Sequence, residues 1–294
     1  MRLIFPTSDG SYLSYEKLAH IWLRALHAAY GSVIVLDFSK CNRLGPFGLV
    51  ILAGIYRTLR ARRLPCTIAI ETMSEHVYAR FLESGCAYHL IQVPKNPHAL
   101  FRHDLIENHD AIIKFLKEEW LASANITMSE LLRNEFISRL WEVYANAFEH
   151  GDSQHGVYTC GERADDDTLL LTVADFGRGI PANAATNLGR TYVSGEEALN
   201  WAFTRGTTTV VNQRYPRGLG LDLIKDFVRL NDGSVEIFSH HGHGIVTKME
   251  DRFRSLLPWI SATVVQMRIR CDNMHYMFTS ELSEQFAASS TPVF

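Results

Sequence analysis

The stretch Leu131–Gly151, LLRNEFISRLWEVYANAFEHG, constrains this chain more than any other. Leu132, Phe136, Leu140 and Ala147 recur at three- to four-residue steps, and Ile137, Trp141, Tyr144 and Phe148 widen the stripe. That spacing predicts a long amphipathic helix that needs a core to lie on. Thr127 and Glu130 fit a capping box at its start, and Gly151 fits a stop at its end. Glu142, Asn146, Glu149 and His150 fall one turn apart on a second, polar face. Two readings are open for that face: a solvated ridge, or a site that holds a metal ion and a water.

The 294 residues suffice for one large domain or two ordinary ones, and 47% hydrophobic against 21% charged residues describes a globular chain. A net charge of -3 gives no overall case for nucleic acid or an anionic membrane. Cys41, Cys66, Cys86, Cys160 and Cys271 are scattered without CxxC spacing, which argues against a disulfide framework or a zinc site. No stretch reaches the ~18 apolar residues of a membrane span. The opening MRLIFPTSDGSY lacks the apolar core of a signal peptide, so a cytoplasmic protein is expected.

In the first hundred residues, apolar runs of strand length alternate with helical periods. Strands are expected at Arg2–Phe5, Ser32–Phe38 and Cys66–Ile70, and helices at Leu13–Tyr30 and Leu49–Leu59, with Gly45–Gly48 turning the chain. Ser74 should cap a short helix that ends at Gly85. This is the pattern of an α/β domain with a parallel strand pair. The run VIVLDFSKCNRLGPFGLVILAGIYRTLRARRLPCTIAIE resembles the STAS domain of anti-sigma-factor antagonists over Val33–Ile91. In that family a phosphorylated serine heads the helix. Here the matching position is Phe47, which has no hydroxyl, so the resemblance implies the fold without the phosphorylation. Pro94–Pro97 reads as a boundary, followed by a connecting helix over His103–Ala122.

In the second half, strand Thr168–Ala174 runs straight into Asp175-Phe176-Gly177-Arg178-Gly179-Ile180-Pro181. The turn reads either as an Asp-Gly hairpin or as a ligand contact. In the second case the carboxylate accepts a hydrogen bond from an amino group and the glycines let backbone approach the ligand. The polar segment Pro181–Arg217 holds one helix candidate, Gly195–Phe203, and the arginines Arg205, Arg214 and Arg217, which suit phosphate oxygens. Gly218-Leu219-Gly220-Leu221 opens a helix over Asp222–Leu230, and glycines at a helix start present free N–H groups to a phosphate. Strands follow at Ser234–Ser239 and Ala262–Arg270, and His240–Gly244 reads as a hairpin tip.

Taken in order, Glu142, Asn146 and His150, then Asp175-x-Gly177-x-Gly179, then Gly218-x-Gly220 resemble the GHKL ATPases: gyrase, the heat-shock chaperone, histidine kinases and the mismatch-repair ATPase. The resemblance covers about Thr127–Arg270, and NAFEHG with AFTRGTTT looks closest to the anti-sigma-factor serine kinases. It implies that Asn146 binds Mg²⁺ and Glu142 orients or deprotonates the attacking water. His150 lies near the phosphates, and Asp175 takes the adenine amino group. Gly177, Gly179 and Ile180 shape the adenine pocket; Arg217, Gly218, Leu219 and Gly220 hold phosphate; Thr263 stands near the adenine. Pro216 and Arg217 replace the glycine that usually precedes GLGL, and the insert Gly242–Ser261 separates the last two strands. Its Phe253, Leu256, Leu257 and Trp259 suggest packing against another surface, such as the first domain.

The expected architecture is therefore an α/β chain of two domains. A STAS-like domain (1–93) and a connecting helix (94–125) lead to a GHKL-type sandwich (126–272), a mixed, largely antiparallel sheet with helices on one face, and then a tail (273–294). The expected function is an ATP·Mg²⁺-binding regulatory switch with slow hydrolysis, acting on a protein partner. The alternatives are a serine/threonine kinase of the anti-sigma type working in trans and a binding-only scaffold. The sequence gives no indication of oligomeric state, partner identity or hydrolysis rate.

Overall fold

The computed structural model describes residues 1–29, 31–151, 155–165, 168–203 and 220–282. The first domain runs β1 (Arg2–Ile4), α1 (Tyr12–Leu26), β2 (Ile34–Asp37), α2 (Pro46–Ala61), β3 (Cys66–Ala69), α3 (Glu75–Glu83) and α4 (Cys86–Ile91). Its three strands form a parallel sheet in the order β1-β2-β3. Ser11 and Ser74 cap α1 and α3 by accepting from the N–H groups of Ser14 and Val77. The expected turn Gly45–Gly48 is instead the first turn of α2. Gly45 is the cap and Pro46 sits at the first helical position, where a missing N–H costs nothing and the ring presets φ.

The second domain runs β4 (Phe101–Asp104), α5 (His109–Lys114), β5 (Thr127–Met128), α6 (Glu130–Gly151), β6 (Val157–Asp165), β7 (Thr168–Asp175), α7 (Gly179–Asn187), α8 (Gly195–Ala202) and α9 (Gly220–Leu230). It then continues through β8 (Ser234–Ser239), β9 (Gly242–Thr247), β10 (Asp251–Ser255), β11 (Thr263–Arg270) and β12 (His275–Tyr276). Seven strands pair in the order β10-β9-β8-β11-β7-β6-β4, and every neighbouring pair is antiparallel. No helix among the described residues is long and apolar enough to cross a membrane.

Four further expectations are revised. The connecting helix does not start at His103, because Phe101–Asp104 pairs with β6 as an edge strand, with His103 stacked 4.3 Å from the Tyr158 ring. The cap of α6 is Ser129, whose Oγ accepts from Leu132 N–H at 3.2 Å; Thr127 is held extended in β5 by β12. The insert Gly242–Ser261 contains β9 and β10, which extend the sheet beside β8, while β11 returns between β8 and β7. Within it Phe253 rests on Phe203 and Leu256 joins the first domain's core, but Leu257 is 77% exposed. Finally, Gly179–Asn187 forms a helix inside what the sequence predicts to be a long polar connection.

The sheet is covered on both faces. Phe136, Leu140 and Tyr144 of α6 and Phe227 of α9 pack over Leu169, Leu171, Val173, Ile237 and Met267. The opposite face, with Tyr158, Cys160, Ala174, Phe238 and Val264, is part of the first domain's core. This explains why β7 reads as an unbroken apolar run rather than alternating as a one-sided antiparallel strand does. Phe47 is one of the residues that closes this second interface. It is 1% exposed, with its ring 5.4 Å from Phe238 and 6.3 Å from Tyr15, while Tyr15 stacks on Phe238 at 4.2 Å. Tyr15 Oη also donates to the His240 carbonyl and accepts from Ile260 N–H. Further along, Arg254 lies 3.8 Å from the Tyr12 ring and donates to His243, whose other ring nitrogen meets Glu236 at 2.7 Å.

Candidate functional site

The site forms where β7 and β8 end and β11 begins, side by side. Asp175 pairs with Thr263, and Thr263 pairs with Ser239, so their side chains form a row on the helix-covered face. Ser239 Oγ is 2.9 Å from Thr263 Oγ1 and accepts from Ile180 N–H at 2.8 Å. Asp175 is only 4% exposed. Burial pushes its carboxyl up to about 7, against the opposing pull of the Gly177 N–H and its own backbone N–H. The Gly177 N–H donates to Oδ1 at 3.1 Å. Among the described residues the carboxyl has few partners, which leaves acceptor capacity for a ligand's N–H group.

The two glycines after Asp175 are required by close approach. A Cβ on Gly177 would fall 1.5 Å from the Gly151 carbonyl oxygen, and Gly151 in turn lies against the Asp175 carboxyl. The Arg178 N–H donates to that same carbonyl at 2.7 Å, so the turn is docked on the C-terminal end of α6. Gly179 has φ +74, and a Cβ there would fall 2.4 Å from His240 Cδ2. His240 Nε2 donates to the Gly177 carbonyl at 3.1 Å, and burial lowers its pKa, which keeps the ring neutral. Gly179→Ala is expected to destabilise the protein by about 1–3 kcal/mol from backbone strain alone, read as a lower urea midpoint.

On α6, Glu142 Oε1 accepts from Arg139 at 2.7 Å, and Arg139 also pairs with Glu135. Asn146 follows one turn later and is exposed. The helix thus carries both polar residues toward the end that touches Asp175. Among the described residues no group of three or more His, Cys, Asp or Glu side chains could hold a metal ion.

The structure therefore brings together Asp175, Gly177, Gly179, Ile180 and Thr263, with Glu142 and Asn146 on the adjoining helix. Arg217, Gly218 and Leu219 lie outside the described residues, as does the His150 side chain; Gly220 is the first residue of α9. Ser239 and His240 belong to the site and were missed. Their signal is their place at the end of β8, which becomes informative only once the β8–β11 register is known.

No curated protein matches the chain. Twenty-six solved chains do, among them a mycobacterial sensor histidine kinase, MprB, 14% identical, matched over 59% of this chain and 100% of that one with a TM-score of 0.30. Residues 134–253 match the family "Histidine kinase-, DNA gyrase B-, and HSP90-like ATPase". This match includes Glu142, Asn146 and the Asp175 turn and stops short of Thr263. Residues 134–253, which lie within the second domain, thus match a histidine kinase-, gyrase B- and HSP90-like ATPase domain, and the sheet they share packs on the first domain's core.

Proposed function

We propose that the protein is an ATP·Mg²⁺-binding regulatory protein that hydrolyses ATP slowly and signals its nucleotide state to a protein partner. One observation carries this reading: the buried, sparsely satisfied Asp175 carboxyl at a strand end, walled by Gly151 and Gly177, inside a domain of ATPase type. Asp175 accepts from the adenine amino group. Gly177 and Gly179 keep that wall free of side chains, and the Ser239–Thr263 pair fixes the floor beside it. Asn146 offers its amide oxygen to the cation, which when bound neutralises phosphate charge. His150, Arg217, Gly218, Leu219 and Gly220 stand on the phosphate side in this reading.

Glu142 has Oε1 engaged by Arg139, which leaves Oε2 for a water. As the water oxygen bonds to the terminal phosphorus and the bond to the bridging oxygen breaks, Oε2 takes the water proton. The products are ADP and inorganic phosphate. Glu142→Gln is therefore expected to slow phosphate release by about 10²–10⁴-fold while leaving ATP affinity within a few-fold.

Incubation with γ-labelled ATP tests this reading. Free labelled phosphate supports it. Label appearing on a co-purified protein would favour a serine/threonine kinase acting in trans; the protein's own Phe47, buried and without a hydroxyl, cannot be that acceptor. ATP bound but unchanged would leave a binding-only scaffold.

A further inference from the structure

Asp175 and Phe176 are consecutive, and the strand's alternation sends them to opposite faces of the sheet. Asp175 meets α6, whereas Phe176 enters the first domain. Its ring stacks 5.6 Å from Trp22 of α1 at 27° and meets Tyr158 edge-on at 5.6 Å. Its tip rests on Gly54 of α2, where a Cβ would fall 1.8 Å from Cζ and 2.2 Å from Cε1. Gly54 lies inside a helix, where glycine is an unfavourable choice, so the notch it makes for the ring is a specific fit. The other ties on this turn, from Gly177 to Asp175 and His240, Arg178 to Gly151 and Ile180 to Ser239, run to the second domain. Phe176 ties the turn to the first domain.

We propose that Trp22 and Gly54, which lie in the first domain outside the ATPase-type residues, are positioning residues of the nucleotide site, acting through Phe176 on the Asp175 carboxylate. The inference rests on the ATP reading above and adds that adenine recognition depends on the docked first domain. A ring held between Trp22 and Tyr158 meets a methyl at position 54 at its tip. It must back out, and the backbone it shares with Asp175 moves with it. Adenine recognition then suffers more than phosphate binding. Guanine presents a carbonyl where adenine presents its amino group, so the ATP-over-GTP preference reports the carboxylate's position.

The test uses the full chain, with dissociation constants for ATP·Mg²⁺ and GTP·Mg²⁺ measured by calorimetry beside a thermal melt. Gly54→Ala is expected to weaken ATP·Mg²⁺ about tenfold and to narrow the ATP-over-GTP ratio, leaving GTP·Mg²⁺ nearly unchanged. Adding Phe176→Leu to Gly54→Ala removes the ring atoms that clash and should restore part of the loss, a non-additivity expected only of residues in contact. Arg254→Ala loosens the same domain interface at Tyr12 and should lower the melt while leaving both constants within about twofold. If Gly54→Ala does not fold, Trp22→Leu takes its place with the same expected narrowing. A folded Gly54→Ala or Trp22→Leu with unchanged ATP affinity and selectivity overturns the proposal. So does Arg254→Ala if it shifts selectivity equally, since any loosening would then suffice. Absence of ATP binding in the unchanged protein overturns the ATP reading itself.

Discussion

Asp175→Asn is expected to lose nucleotide binding by about ten- to a hundredfold, the worth of a hydrogen bond to a charged acceptor. The amide also turns an N–H₂ toward a ligand amino group, donor against donor. The same substitution should stabilise the nucleotide-free protein above neutral pH. Burial raises the Asp175 pKa from 3.8 to about 7, so the folded state holds a proton that the unfolded chain releases. That contribution is fully present below about pH 4 and is lost as pH rises toward about 7. Asparagine has no such dependence. Urea midpoints at pH 5.5 and 8 should therefore fall with pH in the unchanged protein and flatten in Asp175→Asn. ATP affinity should run the other way. The acceptor is the carboxylate, so binding weakens about tenfold per unit below about pH 7, and this slope too should vanish in the variant.

Phe47→Ala should be the most destabilising change at the domain interface, at about 3–5 kcal/mol. The ring is enclosed by Tyr15 and Phe238 and shared between two domains, so no exposed neighbour can collapse into the space. Phe47→Ser should be worse, because the hydroxyl is left in an apolar pocket without a partner. Denaturation by urea reads both. Leu257→Ala, at a side chain 77% exposed, is the control and should stay within about 0.5 kcal/mol.

How much of this was legible in the sequence depended on how local the cause was. The amphipathic helix α6 was readable because its apolar stripe and its Glu142–Asn146 face obey one period. Asp175 and its glycines were readable because a strand, a carboxylate and two glycines follow one another directly. The edge strand β4 was not, since its extended form is imposed by β6 more than fifty residues later. Thr127 with Glu130 fits the local spacing of a capping box, and only the pairing of Thr127 with β12 takes it out of that role and leaves the cap to Ser129. Phe47 was read for the hydroxyl it lacks, but its burial depends on Phe238 in another domain. Phe176 stood in full view between two noticed residues. Its partners Trp22 and Gly54 lie over a hundred residues upstream, and no periodicity links them.

Nucleotide binding at this site is decided by thermal and urea stability with and without ATP·Mg²⁺, in the unchanged protein, in Asn146→Ala and in Asp175→Asn. At nucleotide one hundred times its dissociation constant, the unchanged protein should gain about 2.7 kcal/mol. At the same nucleotide concentration Asp175→Asn should gain only about 0.4–1.4 kcal/mol, and Asn146→Ala should lose the part of the gain that requires Mg²⁺. No gain in the unchanged protein, or an equal gain in Asp175→Asn, would contradict the account.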